Sequence, residues 1–311
     1  MTPVEAATTA RAEAGSTLRR QYAKLCDISD FDAELRARIQ EIVPGLAPGE
    51  EAHRKYWEYA LLTFFLEDVG MLTDQTQALG IGAGEETVLF WLANRLGGVV
   101  ATDIYGEGAF ADREAREVML RNPAAVAPYP YRTNRLHVAK MDGRALEFAD
   151  GTFDFVFSLS SLEHFGGPLD VARGARELGR VLRPGGYAFV VTECFLGWHP
   201  LDSPLVQTAV RFATLGRRCS VATPKRRMLD VLTWREIRRR ILQPSGLTLV
   251  QPVDRTVSAA SWTNLARWSG AGEITPATGS LYPHVLLRAQ GAPWTSIALP
   301  LQRSITQVRP A

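Results

Sequence analysis

The chain has few cysteines and no long apolar run. Its 311 residues include three cysteines, Cys26, Cys194 and Cys219, which lie far apart and lack the spacing of metal ligands. We therefore expect no disulfide framework and a reducing, intracellular compartment. No run of about 18 apolar residues occurs that could span a membrane, and acids interrupt the alanine-rich N-terminus where a signal peptide would be apolar. The sequence thus predicts a soluble cytoplasmic protein without membrane insertion.

The chain also has little net charge, which is formally +2 at neutral pH. Charge alone therefore gives no reason to expect a nucleic-acid or membrane partner. The basic residues are nevertheless uneven, because the segment 217–240 contains "RR", "KRR" and "RRR". Such a segment could attract an anionic acceptor, a lipid head group or nucleic acid, and a solvated helix face would explain it equally well.

From residue 76 onwards, apolar runs alternate with segments of helical periodicity. This alternation predicts a doubly wound, mostly parallel sheet covered by helices on both faces. The C-terminal segment "YPHVLLRAQGAPWTSIALPLQ" predicts an antiparallel hairpin at the sheet edge. The predicted strands of the parallel part are "QALGIG", "GGVVATDIY", "LHVAK", "FDFVFSLS" and "YAFVVTE".

Two segments flank or interrupt this pattern. Residues 1–75 are interpreted as an N-terminal tail followed by a helical extension, with helical periodicity between residues 30 and 70. Residues 76–311 then form the main domain. Within it, residues 196–232 are too long for a simple connection, which indicates a lid or a substrate-binding insert.

A glycine turn lies between the first strand and its helix, in "LGIGAGEE". Gly82 and Gly84 form this turn, and Asp103 ends the next apolar run about 20 residues later. A carboxylate at that position can accept both hydroxyls of a ribose. Together these residues predict a site for an adenosine-bearing cofactor at the carboxyl ends of the strands.

The residues after the turn narrow the choice of cofactor. Glu85 and Glu86 stand where a dinucleotide would place its pyrophosphate, and Thr87 replaces the third glycine of the dinucleotide fingerprint. Carboxylates there repel a phosphate but tolerate a cation, unless they only complement the helix dipole. A cofactor with adenosine, a cationic centre and no phosphate fits best, and S-adenosylmethionine is such a molecule.

Four segments in succession resemble class I S-adenosylmethionine-dependent methyltransferases. They are "LGIGAGEE", "VVATDIY", "AKMDGRALEFADGTFDFVFSLSSLEHF" and "ELGRVLRPGGYAFVVTE". The resemblance covers residues 76 to about 193 and implies a Rossmann-like, seven-stranded sheet with a C-terminal hairpin. It also implies methyl transfer to a small-molecule or glycan acceptor, on oxygen rather than nitrogen. The nucleobase amino-methyltransferases of the family carry a Pro-Pro-aromatic motif where this chain has "SLSS", so no nucleic-acid acceptor is expected.

The resemblance also implies which residues bind the cofactor. It assigns the methionine part to the backbone of Gly82 and Gly84, the ribose to Asp103, the adenine to Ile104, Asp142 and Gly143, and the sulfonium side to Ser158 and Leu159. For Asp142, an Asx turn is the competing interpretation. Gly80 replaces the acid that the family usually has before the turn. Glu86 either supplies that missing charge or serves as a cap.

The candidate catalytic residues follow the fourth and fifth strands. His164, in "SSLEHF", is the candidate general base for an acceptor that must lose a proton, although it could equally be pocket wall. Glu193 is a second candidate for contact with the acceptor, whereas His199 and His284 are remoter candidates and Glu163 is expected to be structural. The sequence shows no cluster of acids for a divalent metal, so no metal is predicted.

Two other classes of function stay open. A non-catalytic, methyltransferase-like scaffold is compatible with Gly80 and Glu86, which could mark a degenerate cofactor site. An NAD-dependent oxidoreductase would need the dinucleotide glycines and a separate catalytic Tyr-Lys or His group, neither of which is found.

Overall fold

A central mixed sheet organises the molecule. A computed structural model describes residues 18–197, 203–217, 228, 230–268, 274–275, 282–289 and 292–305. The strands in these ranges are β1 (Lys24–Leu25), β2 (Gln77–Ile81), β3 (Gly98–Asp103), β4 (Leu136–Lys140), β5 (Phe153–Leu159), β6 (Leu182–Phe195), β7 (Thr248–Leu249), β8 (Ala266–Trp268), β9 (Ile274–Thr275), β10 (Leu287–Ala289) and β11 (Ala292–Gln302). Their spatial order is β4-β3-β2-β5-β6-β11-β10-β8-β9, and β1 and β7 also pair with β11.

The predicted fold class is confirmed. Strands β4, β3, β2, β5 and β6 pair in parallel, β11 is antiparallel to β6, and β10 and β11 form the predicted C-terminal hairpin. The carboxyl ends of the parallel strands therefore meet at one edge, where ligands bind in open α/β sheets.

The edge of β11 that faces away from β6 differs from that of the seven-stranded sheet that the resemblance implies. Three short strands, β10, β1 and β7, share the length of β11 and are all antiparallel to it. Because β11 has eleven residues and these partners have two or three each, no single strand covers its edge. One of the three, β1, comes from the N-terminal segment, which thereby becomes part of the sheet.

Helices cover both faces. They are α1 (Ala33–Ile42), α2 (Arg54–Asp68), α3 (Val88–Ala93), α4 (Glu117–Arg121), α5 (Pro168–Val181), α6 (Pro204–Ala213), α7 (Trp234–Ile237) and α8 (Ala259–Thr263). The predicted N-cap of α7, Thr233, forms a reciprocal capping box with Glu236. Beyond α7 the chain continues as a π-helical turn, Arg238–Leu242, and a last helical turn, Gln243–Ser245.

Helix α2 is unusual because it is buried on nearly all sides. Eleven of its fifteen residues are buried, since α1 and the sheet pack around it. The Phe65 ring lies within 5.3 to 6.3 Å of the rings of Tyr22, Phe155, Tyr187 and Phe189. The N-terminal segment and the parallel sheet therefore share one core, and the amino end of α2 is held firmly at the carboxyl edge of the sheet.

Replacing Phe65 with alanine should destabilise the whole domain, because it removes a fully buried ring that joins α2 to β5 and β6. We expect a loss of about 3 to 5 kcal/mol, measured by urea unfolding. The control is Leu169→Ala, which removes a side chain that is 71% exposed. Unfolding of Phe65→Ala in two separate transitions would show that the N-terminal segment folds independently.

Candidate functional site

The glycine turn after β2 is held in a conformation that few other residues could adopt. Gly82 and Gly84 have φ values of +64° and +46°. A Cβ on Gly82 would lie 1.9 Å from the Ser161 hydroxyl oxygen. The buried Tyr105 hydroxyl donates to the Gly84 carbonyl at 3.0 Å and fixes the turn from below. The turn therefore has a fixed shape before any ligand binds.

Asp103 closes one side of this turn from the end of β3. Its carboxylate accepts hydrogen bonds from the amides of Gly84, at 2.9 Å, and Ile104, at 2.7 Å. Burial raises the pKa of this carboxyl, against the effect of the two amides. The structure thus brings together three of the predicted cofactor residues, and Ile104 lies beside them with 38% of its surface exposed.

The two glutamates after the turn have different surroundings. Glu85 forms an ion pair with Arg116, away from the turn. Glu86 is only 10% exposed, and its Oε1 lies 2.5 Å from the Lys55 ammonium. Its Oε2 is buried without a hydrogen-bond partner among the described residues. Burial raises the pKa of Glu86 to about 7, although Lys55 opposes the shift.

Lys55 reaches this place from the first turn of α2. Its ammonium donates to the Leu159 carbonyl at 2.7 Å and lies 3.2 Å from Glu58 Oε2, in addition to its contact with Glu86. Burial alone would lower the pKa of Lys55, but the carboxylates of Glu58 and Glu86 outweigh it and raise the pKa. Three oxygen atoms from three elements therefore hold one cation at the carboxyl end of β5.

Ser160, next along the chain, adopts a left-handed backbone conformation with φ +51°, which is strained for a residue other than glycine. Its hydroxyl donates to Glu58 at 2.8 Å, and the Ser296 hydroxyl donates to the same oxygen at 2.7 Å. Glu58 is fully buried. These contacts join α2, β5 and β11 directly beneath the site.

Glu163 and Glu193 are a second pair of buried carboxylates, beside Glu58 and Glu86. Glu163 accepts from the Glu193 amide at 3.0 Å, and its Oε2 is buried without a partner among the described residues. Burial raises the pKa of Glu163 to about 7; His164 opposes this shift and Glu193 adds to it. Arg54 donates to Glu193 at 2.7 Å, so this acid is paired and Glu163 is not.

His164, the predicted base, lies next to this pair. Its Nδ1 is 3.4 Å from Asp230 Oδ2, and its ring packs against Phe110 at 5.0 Å. Burial would lower the pKa of His164, but Asp230, Glu163 and Glu193 outweigh it and raise the pKa. Asp230 stands at the C-terminal end of the predicted insert, so the insert returns the chain to the site.

The remaining predicted residues surround the same edge. Asp142 accepts from the Arg144 amide at 2.8 Å, as in an Asx turn, and forms an ion pair with the Arg144 side chain. Gly143 packs so tightly that an added Cβ would lie 2.6 Å from the Phe165 ring. Ser158 is buried with an unpartnered hydroxyl in the described structure, and Leu159 contributes its carbonyl to Lys55. Their roles toward a cofactor stay predictions.

Of the remoter candidates, His284 stacks on His53 at 4.2 Å, and burial lowers its pKa to about 4. His199 lies outside the described residues. Trp57, in α2, is fully buried and its indole N–H donates to Asp30 at 2.9 Å. Within the described ranges, no three His, Cys, Asp or Glu side chains are grouped to hold a metal ion. No helix in those ranges is long and apolar enough to span a bilayer.

Five residues of the site are not predicted from the sequence, and three of them lie in the helical extension, to which no site role is assigned. The available signal was the set of charged residues at the start of an otherwise apolar helix, since only an ionic partner in the fold makes their burial tolerable. The missed residues are Arg54, Lys55, Glu58, Ser160 and Asp230.

The buried groups have more negative than positive charge. Four carboxylates and two cations meet at this edge, namely Glu58, Glu86, Glu163, Glu193, Arg54 and Lys55. The shortage of positive charge explains why burial can raise the pKa of two of the acids so far. A ligand with a cationic part would compensate this excess of negative charge.

The fold and the location of this site define a Rossmann-like α/β domain with its candidate site at the carboxyl edge of the sheet. Residues 79–190 match the family model described as a methyltransferase domain. This segment of the chain is therefore similar to methyltransferase domains, as the resemblance to the class I S-adenosylmethionine-dependent enzymes implies. Lys55, Glu193 and Asp230 all lie outside the matched segment.

Solved structures with a similar fold are distant in sequence. The YcgJ protein from Bacillus subtilis is 13% identical, with 79% of this chain and 98% of that chain covered and a TM-score of 0.45. A SAM-dependent methyltransferase from Methanosarcina mazei is 18% identical, with 75% and 95% covered and a TM-score of 0.42. The (4+2)-cyclase SpnF is 14% identical, with 92% and 100% covered and a TM-score of 0.48.

Replacing Glu163 with glutamine should stabilise the protein at high pH. Because the pKa of Glu163 is raised in the folded state, its contribution to stability is present below its ordinary pKa and is lost as the pH rises through about 7. Glutamine stays neutral and keeps an oxygen for the Glu193 amide. We expect the gain in unfolding free energy to be about 1 to 2 kcal/mol larger at pH 8 than at pH 5.5.

The measurement is urea unfolding at both pH values. Glu117→Gln serves as control, because this residue is half-exposed and pairs with Arg121 at the surface. An equal gain at both pH values would contradict the assignment of a raised pKa to Glu163.

Proposed function

We propose that this chain uses S-adenosylmethionine to methylate a hydroxyl group of a small molecule or glycan. The observation that carries the proposal is the buried, unpartnered Oε2 of Glu86, which lies beside the glycine turn and within the same edge as Asp103. An unpartnered carboxylate oxygen there disfavours a pyrophosphate and suits a cationic amino-acid head group. The residues therefore fit this cofactor.

The chain offers partners for the ribose and for both charges of the methionine part of the cofactor. Asp103 would hold the ribose hydroxyls, Glu86 and the Leu159 carbonyl the ammonium of the methionine part, and Lys55 its carboxylate. The Lys55–Glu86 pair thus complements a zwitterion, with one charge of each sign. When bound, the cofactor supplies a methyl group that its sulfonium already activates.

The acceptor would lie on the side of His164. Contact between Nδ1 and Asp230 fixes the ring orientation and leaves Nε2 to take the proton of an acceptor hydroxyl. Because the raised pKa keeps His164 protonated to higher pH, only the fraction deprotonated above that pKa can act as base. Arg54 holds Glu193 in an ion pair, which suits this acid for positioning rather than for proton transfer.

The alternative functions are less well supported. An NAD-dependent oxidoreductase would place phosphates next to Glu86 and bring no amino group to it, so the buried Oε2 of Glu86 would stay without a partner. A non-catalytic scaffold would have no use for a buried pair of unpartnered carboxylate oxygens, which destabilise the fold.

Binding measurements with truncated ligands test the head-group assignment. Lys55→Met and Glu86→Gln should each weaken S-adenosylhomocysteine binding by about tenfold or more, since a charge-assisted hydrogen bond is lost. Binding of methylthioadenosine, which lacks the amino-acid head, should change by less than about twofold. Lys140→Met is the matched control, because Lys140 ends β4 and pairs with Glu107 at the surface.

The pH dependence gives an independent readout by calorimetry. Protonation of Glu86, with a pKa of about 7, should make S-adenosylmethionine bind about tenfold more weakly at pH 6 than at pH 8. Glu86→Gln should abolish this dependence. Failure of the wild-type protein to bind either cofactor form would refute the proposed function. Equal losses for both ligands in Lys55→Met would refute the head-group assignment alone.

The role of His164 is tested with acceptors found by screening sugars and phenols with methyl-labelled S-adenosylmethionine. His164→Gln should lower kcat by about 10² to 10⁴ and leave S-adenosylhomocysteine binding unchanged. Asp230→Asn should move the pH at which the rate rises to lower values, because Asp230 helps to raise the pKa of His164. An unchanged kcat in His164→Gln would show that this residue only lines the pocket.

A further inference from the structure

Helix α6, within the insert after β6, turns large apolar side chains toward water. Leu205, Phe212 and Leu215 are 81%, 76% and 89% exposed, which makes them the three most exposed large apolar residues in the described part of the chain. Leu205, Ala209 and Phe212 follow the i, i+4, i+7 spacing of one helix face. An exposed apolar stripe of this kind marks an interaction surface.

The charge of the segment around α6 indicates the kind of partner. Residues 203–229 contain no Asp or Glu and six cations, namely Arg211, Arg217, Arg218, Lys225, Arg226 and Arg227. The whole chain carries only +2, so it would be net negative without this segment. Arg211 and Arg217 are exposed and lie on α6 or just beyond it. The same 27 residues of the sequence thus contain the apolar stripe and charges that are all positive.

We propose that α6, with Arg211 and Arg217, docks the protein on an anionic lipid surface and lies in the interface plane. Apolar side chains on one face and basic residues beside them are the combination that binds helices to anionic bilayers without spanning them. The phosphates of a nucleic acid would match the cations but would leave Leu205, Phe212 and Leu215 in water. A second copy of this chain would bring two sets of like charges together.

Along the chain, α6 lies between two residues of the candidate site. The predicted insert, residues 196–232, follows β6, whose Glu193 belongs to the candidate site, and it includes Asp230, which contacts His164. Docking itself does not depend on the proposed methyl transfer, and it is tested without cofactor or acceptor.

The test is sedimentation of the full-length protein with vesicles of phosphatidylcholine, alone or with phosphatidylglycerol. We expect binding to the anionic vesicles only, weakened by salt. The double variants Leu205→Ser/Phe212→Ser and Arg211→Gln/Arg217→Gln should each lower the partition coefficient by at least about tenfold. Leu169→Ser is the control, because Leu169 is also strongly exposed but lies on α5. In Phe212→Trp, brominated lipids should quench the added fluorescence.

Several outcomes would overturn the proposal. Wild-type protein that stays in the supernatant with anionic vesicles would do so, as would a Leu205→Ser/Phe212→Ser variant that still sediments fully. A dimer seen by sedimentation velocity and lost in that variant would make a second copy the partner. Binding to a short RNA duplex that needs the arginines but not Leu205 and Phe212 would identify a nucleic-acid surface instead.

Discussion

The ion pair between Lys55 and Glu86 is the contact on which the candidate site depends. It joins the first turn of α2 to the first residues after the glycine turn, and the Lys55 ammonium also donates a hydrogen bond to the Leu159 carbonyl. Removing two charges from water costs more than their attraction returns unless hydrogen bonds complete the pair. Here one carboxylate oxygen is left without a partner in the described structure. The pair is therefore a poor stabiliser of the fold, and under the proposed function it would hold the zwitterionic part of the cofactor.

Other groups of the candidate site also reduce the stability of the fold. Burial raises the pKa of both Glu86 and Glu163, which means that the fold holds two carboxyl groups in places that disfavour their charge. Ser160 adds backbone strain at the end of β5. Such costs persist only where the surrounding structure is rigid enough to impose them, and they concentrate at functional sites. The packing of α2 between α1 and the sheet supplies that rigidity.

The N-terminal segment consequently shares its sheet, its core and the candidate site with the rest of the chain. It contributes β1 to the sheet edge, Phe65 to the core, and Arg54, Lys55 and Glu58 to the site. The segment that matches the methyltransferase family, residues 79–190, supplies the glycine turn and Asp103. Most other charged residues of the site lie outside residues 79–190: Arg54, Lys55 and Glu58 precede this segment, and Glu193 and Asp230 follow it. This division suits a fold in which a common cofactor platform is combined with variable surroundings.

The sequence by itself determined the parallel sheet, the glycine turn and Asp103 at the end of the next strand, because these depend on local periodicity and on residues close together in the chain. It also raised the question of the two glutamates. Only the tertiary structure decided between them: Glu85 pairs with the half-exposed Arg116, whereas Glu86 pairs with the more buried Lys55 and keeps one oxygen without a partner in the described structure. It likewise brought Asp230 to His164 across the insert. Contacts between residues so far apart depend on how helices pack on the sheet, which hydrophobic periodicity does not encode.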